Sequence, residues 1–194
     1  MLKKVLMSLV VLFLSNSFAN VSNNTCELPH EILYTLATNE SHINRDTGYP
    51  YLISFNNNKD LKKYKKAFKE LGLKVLDNRT VDCLNEQKCV AVTNFLINKK
   101  GIKNLDLGAF QHCYIYFKYP LHEYFVLEKS YHNACDILEN LRKKFGHNWD
   151  AYARYYNYDK DKYEVYSKKL QENFAKIYPE LVENGSYEVP INYY

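Results

Sequence analysis

A mainly helical chain, α+β in class, with a small strand-containing insertion is what this sequence predicts. Apolar residues recur at three- and four-residue spacing in four separate segments, 29–42, 59–72, 131–145 and 160–178. Between about 49 and 103 that rhythm is broken by Pro, Gly and an Asn run around short β-prone stretches. The chain carries no internal repeat and no low-complexity tail.

Taken in order, Lys3 and Lys4 precede the apolar run VLMSLVVLFL, and SNSFA follows with small residues at Ser17 and Ala19. That three-part pattern predicts a signal peptide over residues 1–19. The run is too short to span a bilayer comfortably. Cys26 lacks the small-residue run that precedes a lipidated cysteine. The expected mature chain, 20–194, is a single exported domain with a periplasmic or otherwise extracytoplasmic location.

Pro29 suits a first helical turn, and Ile32, Leu33, Leu36 and Ala37 form the stripe of a helix over 29–42. YLISF, 51–55, reads as a strand. In KDLKKYKKAFKELG, 59–72, an inward stripe of Leu61, Tyr64, Phe68 and Leu71 opposes a lysine face, and Gly72 is a stop signal. A second strand with a turn at Asp77-Asn78 is expected in 73–83, and a helix over 84–98 carrying Val90, Phe95 and Leu96. Residues 104–120 combine a turn, a glycine and a dense aromatic run. Helices are expected over 131–145, 149–158 and 160–178, the last closed by Pro179.

With Lys3 and Lys4 removed, the formal charge of +4 falls by two, too small an excess to argue for nucleic acid. Nineteen tyrosines supply aromatic faces of the kind that line sugar-binding grooves, and they equally suit half-buried packing. The five cysteines, Cys26, Cys83, Cys89, Cys113 and Cys135, match no zinc spacing. In an exported chain they point to disulfides, with at least one thiol left over. No cofactor and no metal site is expected: His42 and His112 form no ligand set with a third residue and read as surface or groove-lining.

One residue departs from its pattern. Ile32, Leu36 and Glu40 are spaced by four, so Glu40 continues the apolar stripe of the first helix. It also falls in the last turn, where the helix dipole presents negative charge. Desolvation and dipole both favour the neutral acid, the form a general acid must hold near neutral pH. The structural alternative is a half-exposed glutamate at an ordinary helix end.

Three segments, in order, carry a family resemblance. ATNESH, 37–42, resembles the "ES" motif that ends the first catalytic helix of lytic transglycosylases with a goose-lysozyme-like fold. LDLGAFQH, 105–112, resembles their D-x-G-x-M-Q-I motif, and WDAYARYYN, 149–157, their segment opening on Trp and closing on Tyr-Asn. The nearest likeness is to the small exported members attached to secretion, conjugation and invasion systems. It implies a lysozyme-like helical domain and cleavage of the MurNAc–GlcNAc β-1,4 bond of peptidoglycan to 1,6-anhydro-MurNAc ends. It further implies glycan strands and a cell-envelope assembly as partners, without nucleic acid or a stable membrane span.

In that scheme Glu40 is the single acid and base, with the substrate's own N-acetyl group standing in for a second carboxylate. Ser41 orients Glu40 or the intermediate, Gln111 binds sugar substituents, and Tyr156 and Asn157 contact the substrate. Each has a plainer role open to it: Ser41 in backbone capping, Tyr156 in packing, Asn157 in ending a helix. Ala109, Phe110 and His112 depart from the motif, as do Tyr158 and Asp159 after Tyr-Asn, which puts substrate placement in question. Asp46 is the nearest candidate second acid, and its approach to Glu40 would favour hydrolysis. The resemblance also implies a Cys26–Cys135 disulfide, leaving Cys83–Cys89 as the natural second pair and Cys113 free. A catalytically silent glycan-binding or assembly module and a lysozyme-like hydrolase are the competing readings.

Overall fold

The computed structural model describes residues 26–183, and the expected signal peptide lies outside them. The described chain is mainly helical with one small antiparallel sheet. It divides into two compact units, one formed by residues 26–39 and 132–183, the other by Glu40–Tyr131. The unit that contains the expected insertion is therefore wider than 49–103.

The first unit is helical. Helix α1 (His30–Glu40) contributes all but its last residue, and buries Ile32, Leu33, Leu36 and Ala37. Its threonine hydroxyls are satisfied within the helix: Thr35 Oγ1 donates to Glu31 O at 2.7 Å and Thr38 Oγ1 to Tyr34 O at 2.9 Å.

The remaining helices of this unit lie toward the C-terminus. They comprise the distal part of α4 (Leu127–Phe145), a short α5 (Trp149–Ala153), α6 (Lys160–Ile177) and α7 (Pro179–Glu183). Asn148 starts α5 by accepting from Ala151 N at 2.8 Å. Pro179 does not merely close α6: the helix ends at Ile177, and Pro179 opens the next short helix, a position its fixed φ suits. Aromatic rings fill the interior, with Trp149 5.3 Å from Phe174 and 6.1 Å from Tyr152, all three buried. Arg154 lies between the rings of Phe145 (4.4 Å) and Tyr163 (3.9 Å). Cys26 and Cys135 stand at disulfide distance with Cα atoms 5.9 Å apart. Beside them Arg142 pairs with Glu27 at 2.7 Å.

The second unit is built on a five-stranded antiparallel sheet of order β2-β3-β1-β4-β5. The strands are β1 (Leu52–Phe55), β2 (Lys74–Val75), β3 (Thr80–Asp82), β4 (Leu105–Leu107) and β5 (His112–Cys113). Central β1 is buried along its length, and Ile53 pairs with Val81 on one side and Leu107 on the other. Helix α2 (Asn58–Glu70) is capped by Asn57, whose side chain accepts from Lys59 N at 3.0 Å. It buries Leu61 and Phe68, but Leu71 is 62% exposed, against expectation, because the helix has already ended. Helix α3 (Glu86–Asn94) runs into a π turn, Phe95–Lys99. Leu96 is buried on the same face as Cys89, Val92 and Thr93, whereas Phe95, one position aside from that face, is 40% exposed. Cys83 and Cys89 stand at disulfide distance beside β3, and Cys113 is free.

The 104–120 stretch is a β-hairpin. Gly108 sits at φ +78 where its backbone N–H donates to Leu52 O at 3.0 Å. A Cβ there would lie 1.8 Å from Tyr124 O, so no other residue fits without moving backbone.

Candidate active site

Glu40 is the last residue of α1 and the first of the second unit. Its helical neighbours Leu36 and Ala37 are fully buried, whereas Glu40 itself is half-buried. The stripe thus carries the carboxylate to the edge of the apolar face rather than into it.

The segment that follows, 41–50, is held by side chains at both ends. Ser41 Oγ accepts from Gly48 N at 3.3 Å, closing the segment on itself. Two backbone turns lie inside it, Arg45 N to His42 O at 2.8 Å and Tyr49 N to Asp46 O at 3.0 Å. His42 is half-buried, its side chain 12% exposed, and pairs through Nε2 with Asp77 Oδ2 at 3.1 Å. Burial works to raise the Asp77 carboxyl, but hydrogen bonds from Arg79 N and Thr80 N, joined by His42, hold it below its ordinary value. Asp46 is exposed.

The strongest anchor of this segment lies outside it and is no part of the expected site. Asp82, on β3, is 1% exposed. Its Oδ2 accepts from Arg45 Nε at 3.0 Å and Nη2 at 2.5 Å, and its Oδ1 from Tyr49 Oη at 2.9 Å and Leu84 N at 2.8 Å. Burial, and then the bond to Asp82, push the Tyr49 hydroxyl up to about 12, which keeps it a donor. A carboxylate with four donors is the condition under which a buried charge is tolerable. The residues just after Glu40 are thereby fastened to the sheet.

Gln111 lies in the β4–β5 turn at φ +48, an uncommon conformation for a side-chain-bearing residue. Its Nε2 donates to Gly108 O at 2.7 Å, so one N–H of the amide expected to bind sugar also closes the hairpin turn. The departures around it have a packing reason. Phe110 is fully buried, its ring 6.2 Å from Tyr131 and 6.0 Å from His112.

His112 is fully buried, not groove-lining, among Phe110, Phe117, Tyr119 and Tyr124, and its Nε2 donates to Ser130 O at 3.1 Å. Burial drives its pKa down to about 4, against the raising effect of the Ser130 bond, so the ring is neutral near pH 7. An imidazole thus takes an apolar position because it is uncharged and its N–H is satisfied.

Across the same hairpin Asp106 faces Cys113. Burial raises the Asp106 carboxyl against the bonds from Asn56 and Cys113 and the charge of Arg79. Burial and then the Asp106 charge lift the Cys113 thiol to about 11. It is therefore a thiol rather than a nucleophilic thiolate.

Tyr156 and Asn157 belong to the first unit. Tyr156, 58% exposed, stacks on Tyr166 with ring centroids 4.8 Å apart. Asn157 Oδ1 accepts from Asp159 N at 2.9 Å, an Asx turn leading into α6. Cys26, Cys135 and Glu139 have ligand atoms within 4.8 Å of one another, but the disulfide removes both thiolates from metal binding. A shallow pocket in the second unit, lined by Glu86, Val90, Asn94, Leu121 and His122, contains none of the expected site residues.

No protein-family model, curated protein or solved structure matches this chain.

Proposed function

We propose that this protein is an exported peptidoglycan lytic transglycosylase of lysozyme-like fold, with Glu40 as its general acid and base. The observation that carries the reading is Glu40 itself: an acid ending an otherwise apolar helix face, ahead of a segment fastened to the sheet through Asp82. The ordered likeness of 37–42, 105–112 and 149–157 to transglycosylase motifs supports it, and Gly108 stands in the second motif where only glycine fits.

In the proposed reaction the Glu40 carboxylic acid protonates the glycosidic oxygen as the C1–O bond breaks. The N-acetyl oxygen of MurNAc closes on C1 and bears the developing positive charge. The Glu40 carboxylate then takes the proton from the C6 hydroxyl, whose oxygen displaces the N-acetyl group to form the 1,6-anhydro ring. No water is consumed, and Glu40 ends protonated. Peptidoglycan is the substrate, the periplasm or another extracytoplasmic space the location, and a secretion or conjugation assembly the partner that the resemblance suggests.

A second reading has its own support. Gln111 gives one amide N–H to Gly108 O, and Asn157 Oδ1 accepts from Asp159 N. A silent glycan-binding or assembly module of the same fold needs neither side chain poised at a reacting bond, and these local roles are consistent with it.

Digestion of purified peptidoglycan followed by mass analysis of the released ends separates the readings. Anhydro ends support the transglycosylase. Hydrated reducing ends point to a hydrolase, and retention of glycan without release points to the module.

A further inference from the structure

Helix α2 carries more than a solvated face. Its inner side is used up by Leu61 and Phe68. Lys59, Lys62, Lys63, Lys65, Lys66 and Lys69 are all exposed, and at 100° per residue Lys59, Lys62, Lys63, Lys66 and Lys69 share the arc opposite the core. The exposed acid among them, Glu70, pairs with Lys66 at 3.9 Å, while Asp60 is half-buried at the helix start.

Beside that lysine arc runs an apolar strip. Tyr64 and Ala67 are three residues apart on the helix, and Leu71 follows just past its end; Ala67 is exposed and Leu71 is 62% exposed. Phe95, 40% exposed, continues the strip with its ring edge-on to Tyr64 at 6.4 Å. A lysine sits over each ring: Lys63 Nζ is 5.5 Å from Tyr64 and Lys100 Nζ 5.1 Å from Phe95. Exposed apolar carbons grouped beside lysines of one sign are uncommon on a surface that meets only water.

We infer that this face of α2 and the π turn docks peripherally on an anionic phospholipid surface. The lysines meet the headgroup phosphates, and Leu71 and Phe95 enter the boundary with the acyl chains. Two features favour lipid over a soluble polyanion. A nucleic acid or acidic glycan would use the lysines but leave Leu71 and Phe95 in water, whereas the lipid boundary takes both. Compact lysine charges on flexible stems, rather than arginine forks, also suit a fluid array of headgroups better than a fixed phosphate geometry. Among the described residues no helix is long and apolar enough to cross a membrane, so the contact is with the surface. The inference does not depend on Glu40 or on the proposed reaction.

The test is flotation of the expected mature chain, residues 20–194, with vesicles of phosphatidylcholine alone and of phosphatidylcholine mixed equally with phosphatidylglycerol. Binding to the anionic vesicles only, weakened by salt, is expected. Each lysine near such a surface contributes roughly fivefold in affinity, so K63E/K66E/K100E is expected to lose about a hundredfold or more. L71S/F95S is expected to lose several-fold while its circular dichroism matches the parent. Equal binding to both vesicle types, or none, overturns the inference. So does a chain that binds dextran sulfate as tightly as vesicles and is indifferent to L71S/F95S, since that marks a polyanion site.

Discussion

The helical unit and the sheet-bearing unit are held together by different means. In the first, the anchors are apolar and covalent: Trp149 packed on Phe174 and Tyr152, Arg154 between two rings, and the long Cys26–Cys135 link. In the second, the decisive contacts are polar and exact in shape: Asp82 with four donors, Gly108 against the Tyr124 carbonyl, Gln111 on Gly108 O, and neutral His112 in an aromatic box. An aromatic core tolerates modest changes of volume, whereas a buried charge or a backbone contact tolerates almost none. Glu40 stands where the first kind of structure hands over to the second.

The largest expected break in that comparison is covalent. Replacing Cys26 and Cys135 by serine removes a link across 109 residues of sequence and is expected to cost ~4–5 kcal/mol in the chain-entropy view. Cys83 and Cys89 are separated by only 6, and their replacement is expected to cost about 2 kcal/mol. Denaturant unfolding followed by Trp149, the chain's single tryptophan, reads the first loss directly. Equal costs for the two pairs would contradict the assignment.

Next comes the polar clamp. Asp82→Ala leaves Arg45 and Tyr49 facing a vacated carboxylate site and is expected to cost about 3–5 kcal/mol, the usual penalty for breaking a buried pair from one side. Amide exchange should quicken in 41–50 and along β3. A loss under 1 kcal/mol would mean that the clamp is solvated and unimportant.

A smaller effect, of about 3 kcal/mol, belongs to His112 and depends on pH. Its folded pKa of about 4 lies below the ordinary 6.5, so the unfolded chain binds the extra proton between those values. Stability from this group is complete above about pH 6.5, declines as pH falls toward 4, and is flat below. His112→Gln should flatten that slope, as followed by thermal unfolding across the same range. An unchanged slope would place the titration elsewhere.

How much of this was legible in the sequence follows the same division. The helices were readable because a 3.6-residue stripe is a local signal: Ile32 to Ala37 and Leu138 to Leu141 are buried as their spacing requires. The stripe misled at Leu71 and Phe95. Leu71 falls just past the end of α2, and Phe95 lies one position off the buried face of Cys89, Val92, Thr93 and Leu96, so both are exposed. The sheet unit shows only in outline in the sequence, because its determinants act across distance. Asp82 meets Arg45 and Tyr49 at separations of 37 and 33 residues, and nothing in TVDC announces them. The one local signal is the place of Asp82 itself, an acid between Val81 and Cys83. His112 was misplaced because histidine is polar on its own, and only a satisfied N–H and a desolvated ring make it a core residue. Of the expected site, Glu40 keeps its place at the helix end, while Gln111 and Asn157 have local partners their residue types could not reveal.

Whether Glu40 is the acid of a glycan-cleaving reaction is decided by Glu40→Gln. This change keeps the side chain's size and removes its proton-transfer chemistry. The parent and the variant, matched in thermal unfolding, are incubated with purified peptidoglycan, and the released muropeptides are weighed by mass spectrometry. With Glu40 as the acid, 1,6-anhydro ends are expected from the parent and a rate at least ~100-fold lower from the variant, the scale of a lost general acid. Equal release by both proteins, or release by neither, would contradict that role.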